Sequence, residues 1–222
     1  MASLFDFLLP SYCLFCGKLS ARICIDCSGD IGLDPRLVFR EGLVGFSSSA
    51  YTDQAKQLLR SFKELGESSL GTFLAERMKP LLTCFDEPPT CLVPVPSNAL
   101  SLRERGFNPA EIIARELCRS RPEISYQNLL VRTRQTKDQS RLSPSQRSEN
   151  QLNSMIAQVG SERVILIDDV ITTGSTLKTA WKTLENSGHK VMGFLTFAET
   201  ESKRCNLTTQ AHSPADGGTS WN

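Results

Sequence analysis

The chain has 222 residues and a mass of 24.6 kDa, which fits one main domain with a small appendage. Hydrophobic residues at 40% and charged residues at 22% exclude wholesale disorder, collagen and low-complexity sequence. The 25 Lys and Arg nearly balance the 24 Asp and Glu, for a net charge of +1, so any nucleic acid or anionic membrane must be met by a local patch.

The first ten residues are apolar, but they lack a basic start and Asp6 interrupts them. We therefore expect a short amphipathic helix there rather than a secretory signal. No stretch reaches the roughly 18 uncharged apolar residues that a spanning helix needs, so we expect no membrane span.

Four of the eight cysteines form two C-x-x-C pairs, while the others are scattered singly. The paired cysteines are Cys13, Cys16, Cys24 and Cys27. Such pairs can close a tetrahedral Zn²⁺ site with sulfur about 2.3 Å from the metal. The pattern disfavours a secreted disulfide framework and favours the reducing cytoplasm. The alternatives are an iron–sulfur cluster, a redox C-x-x-C and buried apolar cysteines.

Composition divides the chain into three parts: a four-cysteine zinc-binding module at 1–40, a main domain at 41–200 and a flexible tail at 201–222. The zinc would fold a module too small for its own core, and the module could also offer a docking surface for DNA or a protein.

Strands and helices alternate in the main domain, which predicts a parallel α/β sheet flanked by helices. Apolar runs predict strands at 43–46, 90–95, 129–131, 163–167 and 190–195. Helical spacing predicts helices around 55–62, 70–81, 109–117 and 175–185, and a cap signal at 143–146 predicts the start of another. Asn108, Pro109 and Glu111 give the third of these an N-cap signal. We expect loops through 103–107 and 132–150, and the latter has the length and charge of a lid that excludes water.

The apolar strand at 163–167 ends in Asp168 and Asp169, and a small, hydroxyl-rich turn then opens a helix. Ligands of open α/β sheets bind at the carboxyl ends of strands, and free N–H groups at a helix start bind phosphate. The turn can hold a phosphomonoester through Thr172, Thr173, Gly174, Ser175 and Thr176. The carboxylates can accept hydrogen bonds from sugar hydroxyls or help hold Mg²⁺. A phosphorylated sugar fits this layout.

One alternative stands beside that interpretation. Thr172 or Thr173 could simply cap a helix, with the aspartates solvated at a strand end. A P-loop ATPase site and a dinucleotide-binding site are excluded, because the chain contains neither G-x-x-x-x-G-K-[ST] nor G-x-G-x-x-G.

The segment 164–177 resembles the motif that binds phosphoribosyl pyrophosphate (PRPP) in type I phosphoribosyltransferases. With the cysteine pairs in front, the chain resembles the ComF family of competence-associated phosphoribosyltransferase-like proteins. Further matching positions are Phe62-Lys63, Val93-Pro94-Val95-Pro96, Arg103, Arg105-Gly106-Phe107-Asn108, Thr136, Gln139, Leu142, Arg147 and Asn150. The resemblance covers most of residues 10–200. It implies a twisted, type I phosphoribosyltransferase-like parallel sheet flanked by helices, with a small N-terminal four-cysteine zinc module.

The resemblance also implies roles for single residues. Residues 172–176 would bind the 5-phosphate of PRPP, and Asp168 and Asp169 the ribose hydroxyls. The candidates for the pyrophosphate and the lid are Lys63, Pro96, Arg103, Arg105, Gln139 and Arg147. Mg²⁺ and the basic groups would stabilise the leaving pyrophosphate. The alternative for these basic residues is a solvated surface.

Two functions follow as expectations. The first is Mg²⁺-dependent transfer of phosphoribose from PRPP to an unidentified acceptor. The second is a PRPP- or nucleotide-sensing adaptor of the DNA-uptake machinery without turnover, with competence proteins or single-stranded DNA as partners. Some type I members carry an acidic residue, suited to act as a base on the nucleophile, where this chain has Thr172. Phe107 is the only aromatic residue near the basic stretches, which disfavours a stacking platform for DNA.

Overall fold

The structure is a computed structural model that describes residues 11–29, 31–65, 68–87, 89–119, 121–133 and 154–200. Its centre is a six-stranded sheet. The strands of this sheet are β1 Arg36–Arg40, β2 Leu43–Ala50, β3 Cys91–Pro94, β4 Ser125–Tyr126, β7 Arg163–Ile171 and β8 Lys190–Glu199. Their order across the sheet is β1-β2-β8-β7-β3-β4. A separate antiparallel pair consists of β5 Leu130–Arg132 and β6 Met155–Ala157.

All neighbouring strands in the large sheet are parallel except β1 and β2, which form an antiparallel hairpin. The carboxyl ends of β2, β8, β7 and β3 therefore meet at one edge. Asp168 of β7 is paired with Thr196 of β8 near this edge. The predicted α/β class with a mostly parallel sheet is confirmed.

Helices cover both faces of the sheet. They are α1 Ile25–Ser28, α2 Asp53–Leu65, α3 Ser68–Met78, α4 Ala99–Arg105, α5 Pro109–Arg119 and α6 Ser175–Asn186, with a 3-10 turn at Lys79–Cys84. In α2, Ala55, Leu58, Leu59 and Phe62 are at most 2% exposed, and their spacing places them on one side of the helix.

The alternating side chains of β7 pack into two cores. Ile165 and Ile167 join the core that α2, α3 and α5 cover, whereas Val164 and Leu166 join the core that α6 covers. Burial on both faces explains why this strand is a continuous apolar run rather than an alternating one. The strand is consequently held rigidly up to the point where its carboxylates begin.

The helix starts at 109 and 175 are confirmed. Asn108 Oδ1 accepts a hydrogen bond from the N–H of Ala110 at 3.3 Å, and α6 begins at Ser175. The loop expected through 103–107 is wrong, because residues up to Arg105 belong to α4. Asn98 Oδ1 caps this helix by accepting from the N–H of Ser101 at 2.8 Å, and Gly106 ends it at φ 77°. No residue of α4 is buried, so the sequence lacks the apolar stripe that would have predicted it.

Strand β1 carried no sequence prediction, and its hairpin with β2 spans the predicted boundary near residue 40. The division into domains stays a prediction. The expected N-terminal helix at 1–10, the helix from 143 and the tail at 201–222 lie outside the described residues. Within the part of the chain that the structure describes, no helix is long and apolar enough to cross a membrane.

Candidate functional site

The four paired cysteines come together in space. The sulfur atoms of Cys13, Cys16, Cys24 and Cys27 all lie within 4.8 Å of one another. The Sγ atoms of Cys16 and Cys24 are 3.7 Å apart. Four sulfurs bound tetrahedrally to Zn²⁺ at 2.3 Å would be about 3.8 Å apart, so the cluster fits that ion.

The thiols of Cys13 and Cys27 differ sharply in pKa. Backbone hydrogen bonds from Cys24 and Cys16 lower the pKa of Cys13 to about 6. Hydrogen bonding to the Cys24 side chain, with burial, raises the pKa of Cys27 to about 12. Four thiolates this close need a cation to offset their mutual repulsion, which is what a structural metal supplies.

The cysteine segment is attached to the helices beside the sheet. The Leu14 carbonyl accepts a hydrogen bond from Gln57 Nε2 of α2 at 2.9 Å. The Ser28 carbonyl accepts from Arg77 Nη2 of α3 at 2.6 Å. Loss of the cluster would therefore disturb the outer sides of both helices.

We call residues 172–176, which join β7 to the start of α6, the phosphate turn after their predicted role. The turn forms a small concavity of about 40 Å³ lined by residues 170–177 and Asp168. Thr172 and Thr173 are exposed, whereas Gly174 is buried with φ 85°. A Cβ at Gly174 would lie 2.9 Å from the Cβ of Arg40. Gly174 stands at the N-cap position and offers no side-chain cap. The N–H of Ser175 donates to Thr173 Oγ1 at 3.4 Å, a long contact that a bound anion could replace at this helix start.

The acidic pair lies next to this turn. Asp168 Oδ1 accepts a hydrogen bond from the N–H of Asp169 at 2.9 Å. Asp169 is buried, and its Oδ2 lies 2.6 Å from Nζ of Lys63. Burial, with the negative charge of Asp169, raises the pKa of Asp168 well above its ordinary value. A ligand that brings hydroxyl donors or a cation would relieve this unfavourable charge.

Arg132 of β5 joins the acidic pair to the loop after β3. Its Nε donates to the Pro96 carbonyl at 2.8 Å. Burial lowers the pKa of Arg132, and the nearby negative charge of Asp168 opposes that shift. Sequence reasoning placed Arg132 only at the start of a basic stretch, because nothing in a linear pattern shows that it meets Pro96.

A second unpredicted group supports the phosphate turn from below. Arg40 Nη2 donates to Glu199 Oε2 at 2.9 Å and to the Thr200 carbonyl, and the Arg40 stem packs under Gly174. Arg40 and Glu199 are separated by 159 residues, and no sequence signal links them.

The remaining predicted residues divide into three groups. Lys63 and Pro96 lie at the site, through the contacts with Asp169 and Arg132. Arg105 is half-buried on α4, where its Nε donates to the Ser101 carbonyl at 3.2 Å, while Arg103 is exposed. Gln139 and Arg147 lie outside the described residues.

Residues 99–210, half of the chain, match the phosphoribosyl transferase domain. The chain belongs to this family. The match includes the acidic pair, the phosphate turn and α4, and it begins after Pro96 and the cysteine cluster. Family membership agrees with the predicted PRPP motif, while the role of each residue stays a prediction.

A relative of known name supports the predicted resemblance to the ComF family. This chain is 34% identical over 105 residues to competence protein F of Haemophilus influenzae. The match covers 45% of this chain and 46% of that protein, about half of each. With the family domain and the four-cysteine cluster, the resemblance to ComF is confirmed.

Solved structures similar to this phosphoribosyl transferase-family chain include adenine phosphoribosyltransferases. That from Leishmania tarentolae is 16% identical, covers 61% of this chain and 73% of its own, and has a TM-score of 0.33. The enzyme from Trypanosoma brucei was solved in complex with AMP, pyrophosphate and ribose-5-phosphate. It is 13% identical, and the match covers 70% of this chain and 76% of that chain, with a TM-score of 0.35. The purine phosphoribosyltransferase of Pyrococcus horikoshii is 17% identical at 62% and 85% coverage, with a TM-score of 0.31.

Proposed function

We propose that the protein binds PRPP with Mg²⁺ and transfers its phosphoribosyl group to an acceptor, in a process linked to competence. The observation that carries this proposal is the adjacent carboxylates of the half-buried Asp168 and the buried Asp169, directly beside the open turn at the start of α6. Both lie at the carboxyl edge of a parallel sheet, where α/β proteins bind ligands.

In this proposal the phosphate turn and the acidic pair hold opposite ends of one sugar phosphate. Backbone N–H groups at the start of α6 and the hydroxyls of residues 172–176 bind the 5-phosphate. Asp168 and Asp169 accept hydrogen bonds from the ribose hydroxyls, and the ion pair with Lys63 holds the Asp169 side chain in place.

The pyrophosphate would lie near Pro96, on the side of the acidic pair away from the phosphate turn. Arg132 fixes the Pro96 carbonyl there, and it brings positive charge close to the bond that breaks. Arg103, Arg105, Gln139 and Arg147 are further candidates to contact this group. Preorganised positive charge at a leaving group is an effective way to lower the barrier to its departure.

A magnesium ion fits the donor set at this site, because carboxylate and phosphate oxygens are its preferred ligands. The raised pKa of Asp168 supports this fit, since it is typical of a carboxylate with too little positive charge around it. When bound, Mg²⁺ would neutralise the pyrophosphate and help orient PRPP.

The test is calorimetric titration with PRPP, with and without Mg²⁺, followed by measurement of pyrophosphate release with candidate acceptors. We expect Mg²⁺-dependent PRPP binding that the Asp168→Asn/Asp169→Asn double variant loses. Turnover that survives the double substitution would contradict the assignment of these carboxylates.

A second candidate is a PRPP- or nucleotide-sensing adaptor of the DNA-uptake machinery. It is favoured by Thr172, which offers no carboxylate to act as a base on an acceptor, and by the name of the Haemophilus influenzae relative. Tight PRPP binding with no pyrophosphate release under any acceptor would support it. Competence proteins or single-stranded DNA would then be partners, and PRPP-dependent binding to them is the measurement.

We further propose that the cysteine cluster holds a structural Zn²⁺ and that the protein acts in the reducing cytoplasm, where cysteine thiols stay reduced. Elemental analysis of the purified protein should find about one zinc per chain. Cys16→Ser should lower that content, whereas Cys84→Ser should leave it unchanged because Cys84 lies outside the cluster. Iron with visible absorbance in place of zinc would favour the iron–sulfur alternative.

A further inference from the structure

A wide groove lies between the cysteine segment, residues 11–29, and helix α3. It holds about 820 Å³. One wall consists of residues between Lys18 and Ser28, and the other wall carries Phe73, Glu76 and Arg77 of α3. We call it the cysteine–α3 groove. It is separate from the candidate site for PRPP, because neither the acidic pair nor any residue of the phosphate turn lines it.

Apolar side chains are exposed along the cysteine-segment wall of this groove. Ile25 is 87% exposed and Leu19 is 69% exposed, and both line the groove. Phe73 on the opposite wall is partly buried and packs against the main core. Single exposed apolar residues are common on protein surfaces, whereas several around one groove indicate a docking surface.

The two cations that line the groove are already engaged. Lys18 Nζ lies 3.7 Å from a carboxylate oxygen of Asp26. Arg77 Nη2 donates to the Ser28 carbonyl at 2.6 Å, and the Arg77 guanidinium lies 4.9 Å from the centre of the Phe73 ring. A ligand that binds mainly through negative charge, such as a nucleic acid, would have to compete with these contacts. The groove therefore favours an apolar occupant.

The N-terminal end of the described chain lies at the rim of this groove. The Ser11 carbonyl accepts a hydrogen bond from the N–H of Ser20 at 3.0 Å, and Ser11 Oγ donates to the Ser20 carbonyl at 2.7 Å. Tyr12 pairs with Leu19 in an antiparallel bridge. Ser20 and Leu19 both line the groove. Residues 1–10 are consequently tethered at its rim through Ser11.

The sequence of residues 1–10 suits an apolar groove. Seven of these ten residues are apolar. Helical spacing would place Met1, Leu4, Phe5 and Leu8 on one face and Asp6 on the opposite face. Ten residues span about 15 Å as a helix and about 33 Å when extended, so a tether at the rim lets either form lie along the groove.

We propose that residues 1–10 dock in the cysteine–α3 groove of their own chain, with their apolar face against Ile25, Leu19 and Phe73. The tether makes docking intramolecular, at an effective concentration on the order of millimolar, so a small apolar contact is sufficient. The docked segment would join the cysteine segment to α3 in addition to the bond from Arg77 to the Ser28 carbonyl. The proposal needs neither PRPP nor turnover and goes beyond the proposed function.

Limited digestion of the full chain with chymotrypsin tests the proposal, with cleavage after Phe5 followed by mass spectrometry. We expect cleavage about tenfold or more slower than in a synthetic peptide of residues 1–12, because a docked segment is cut only when it opens. Ile25→Asp removes a large apolar contact and should accelerate cleavage of the full chain about tenfold. Aspartate is favourable at the first position of α1, so the variant should remain folded.

Val159→Asp is the matched control, since Val159 is also β-branched, is 91% exposed and does not line the groove. Leu19→Asp changes the same wall at a second position, and it decides the outcome if circular dichroism shows that Ile25→Asp is unfolded. Wild-type cleavage as fast as that of the peptide would overturn the proposal. Groove variants that are cleaved no faster than Val159→Asp would overturn it as well.

The oligomeric state distinguishes docking within one chain from docking between two chains. We expect the wild-type cleavage rate to be independent of protein concentration, and Ile25→Asp to leave the mass measured by light scattering unchanged. Protection that increases with concentration, together with a dimer that Ile25→Asp dissociates, would overturn the proposal and assign the groove to a second copy of the chain.

Discussion

The two halves of the candidate site are built in opposite ways. The phosphate half is one continuous segment, residues 168–176, in which β7, a turn and α6 follow directly. The cationic half combines Lys63 of α2, Arg105 of α4 and Arg132 of β5 with the Pro96 loop. The first half depends on local backbone geometry, whereas the second depends on the packing of separate elements. Substitutions should therefore affect the two halves through different mechanisms.

The largest effect is expected from Gly174→Ala in the phosphate half. The new Cβ would lie 2.9 Å from Arg40 Cβ. The backbone φ of 85° is also one that residues with a side chain rarely adopt. Strain and collision together should weaken PRPP binding about tenfold or more by calorimetry. Gly106→Ala is the control, because Gly106 has a φ of 77° but no atom within 4 Å of the added carbon. Equal losses in both variants would show that the collision with Arg40 is unimportant.

The next effect tests the contact that joins the halves. Lys63→Met leaves the buried Asp169 carboxylate without its cation and should lower the free energy of unfolding by about 1–3 kcal/mol in urea denaturation. The double variant Lys63→Met/Asp169→Asn should lose less stability than the sum of the losses in the two single variants, with a coupling energy of about 1 kcal/mol. Lys178→Met breaks an exposed pair with Glu41 and should change the stability little. If the stability losses of Lys63→Met and Asp169→Asn simply add, the ion pair does not couple the two halves of the site.

A smaller effect is expected from Arg132→Met in the cationic half. The variant removes the hydrogen bond to the Pro96 carbonyl and a positive charge near Asp168. PRPP affinity should fall about threefold to tenfold in the same titration. Arg119→Met, which removes a surface ion pair with Glu116, should leave it unchanged. Unchanged PRPP affinity in Arg132→Met would contradict a pyrophosphate position beside Pro96.

The smallest effect concerns stability and its pH dependence. Because the pKa of Asp168 is raised in the folded protein, the folded state holds more protons than the unfolded state above pH ~4. The carboxyl therefore favours folding at low pH, and that contribution is lost as pH rises through the folded-state pKa. Asp168→Asn should raise the melting temperature at pH 7 but not at pH 4. A variant less stable than the wild type at pH 7 would contradict the shift.

The comparison also explains which features could be predicted from the sequence. The order of strand, acidic pair, small turn and helix at 163–176 was predicted, because these features are adjacent in the chain, while the roles of the single residues stay predictions. The cysteine cluster was predicted for the same reason, since C-x-x-C spacing places two sulfurs in one turn. Helix α4 was missed, because a seven-residue helix with no buried side chain has no apolar period. The Arg132–Pro96 contact has no sequence signal at all.

By itself, the sequence determined the α/β class, the PRPP-type motif and the four-cysteine cluster. These features depend on local propensity, hydrophobic period and short-range spacing. Only the tertiary structure decided that Lys63 neutralises Asp169, that Arg40 supports Gly174 and that a groove opens between the cysteine segment and α3. Those contacts join residues that are far apart in the chain, and the order in which the strands pack decides which side chains meet.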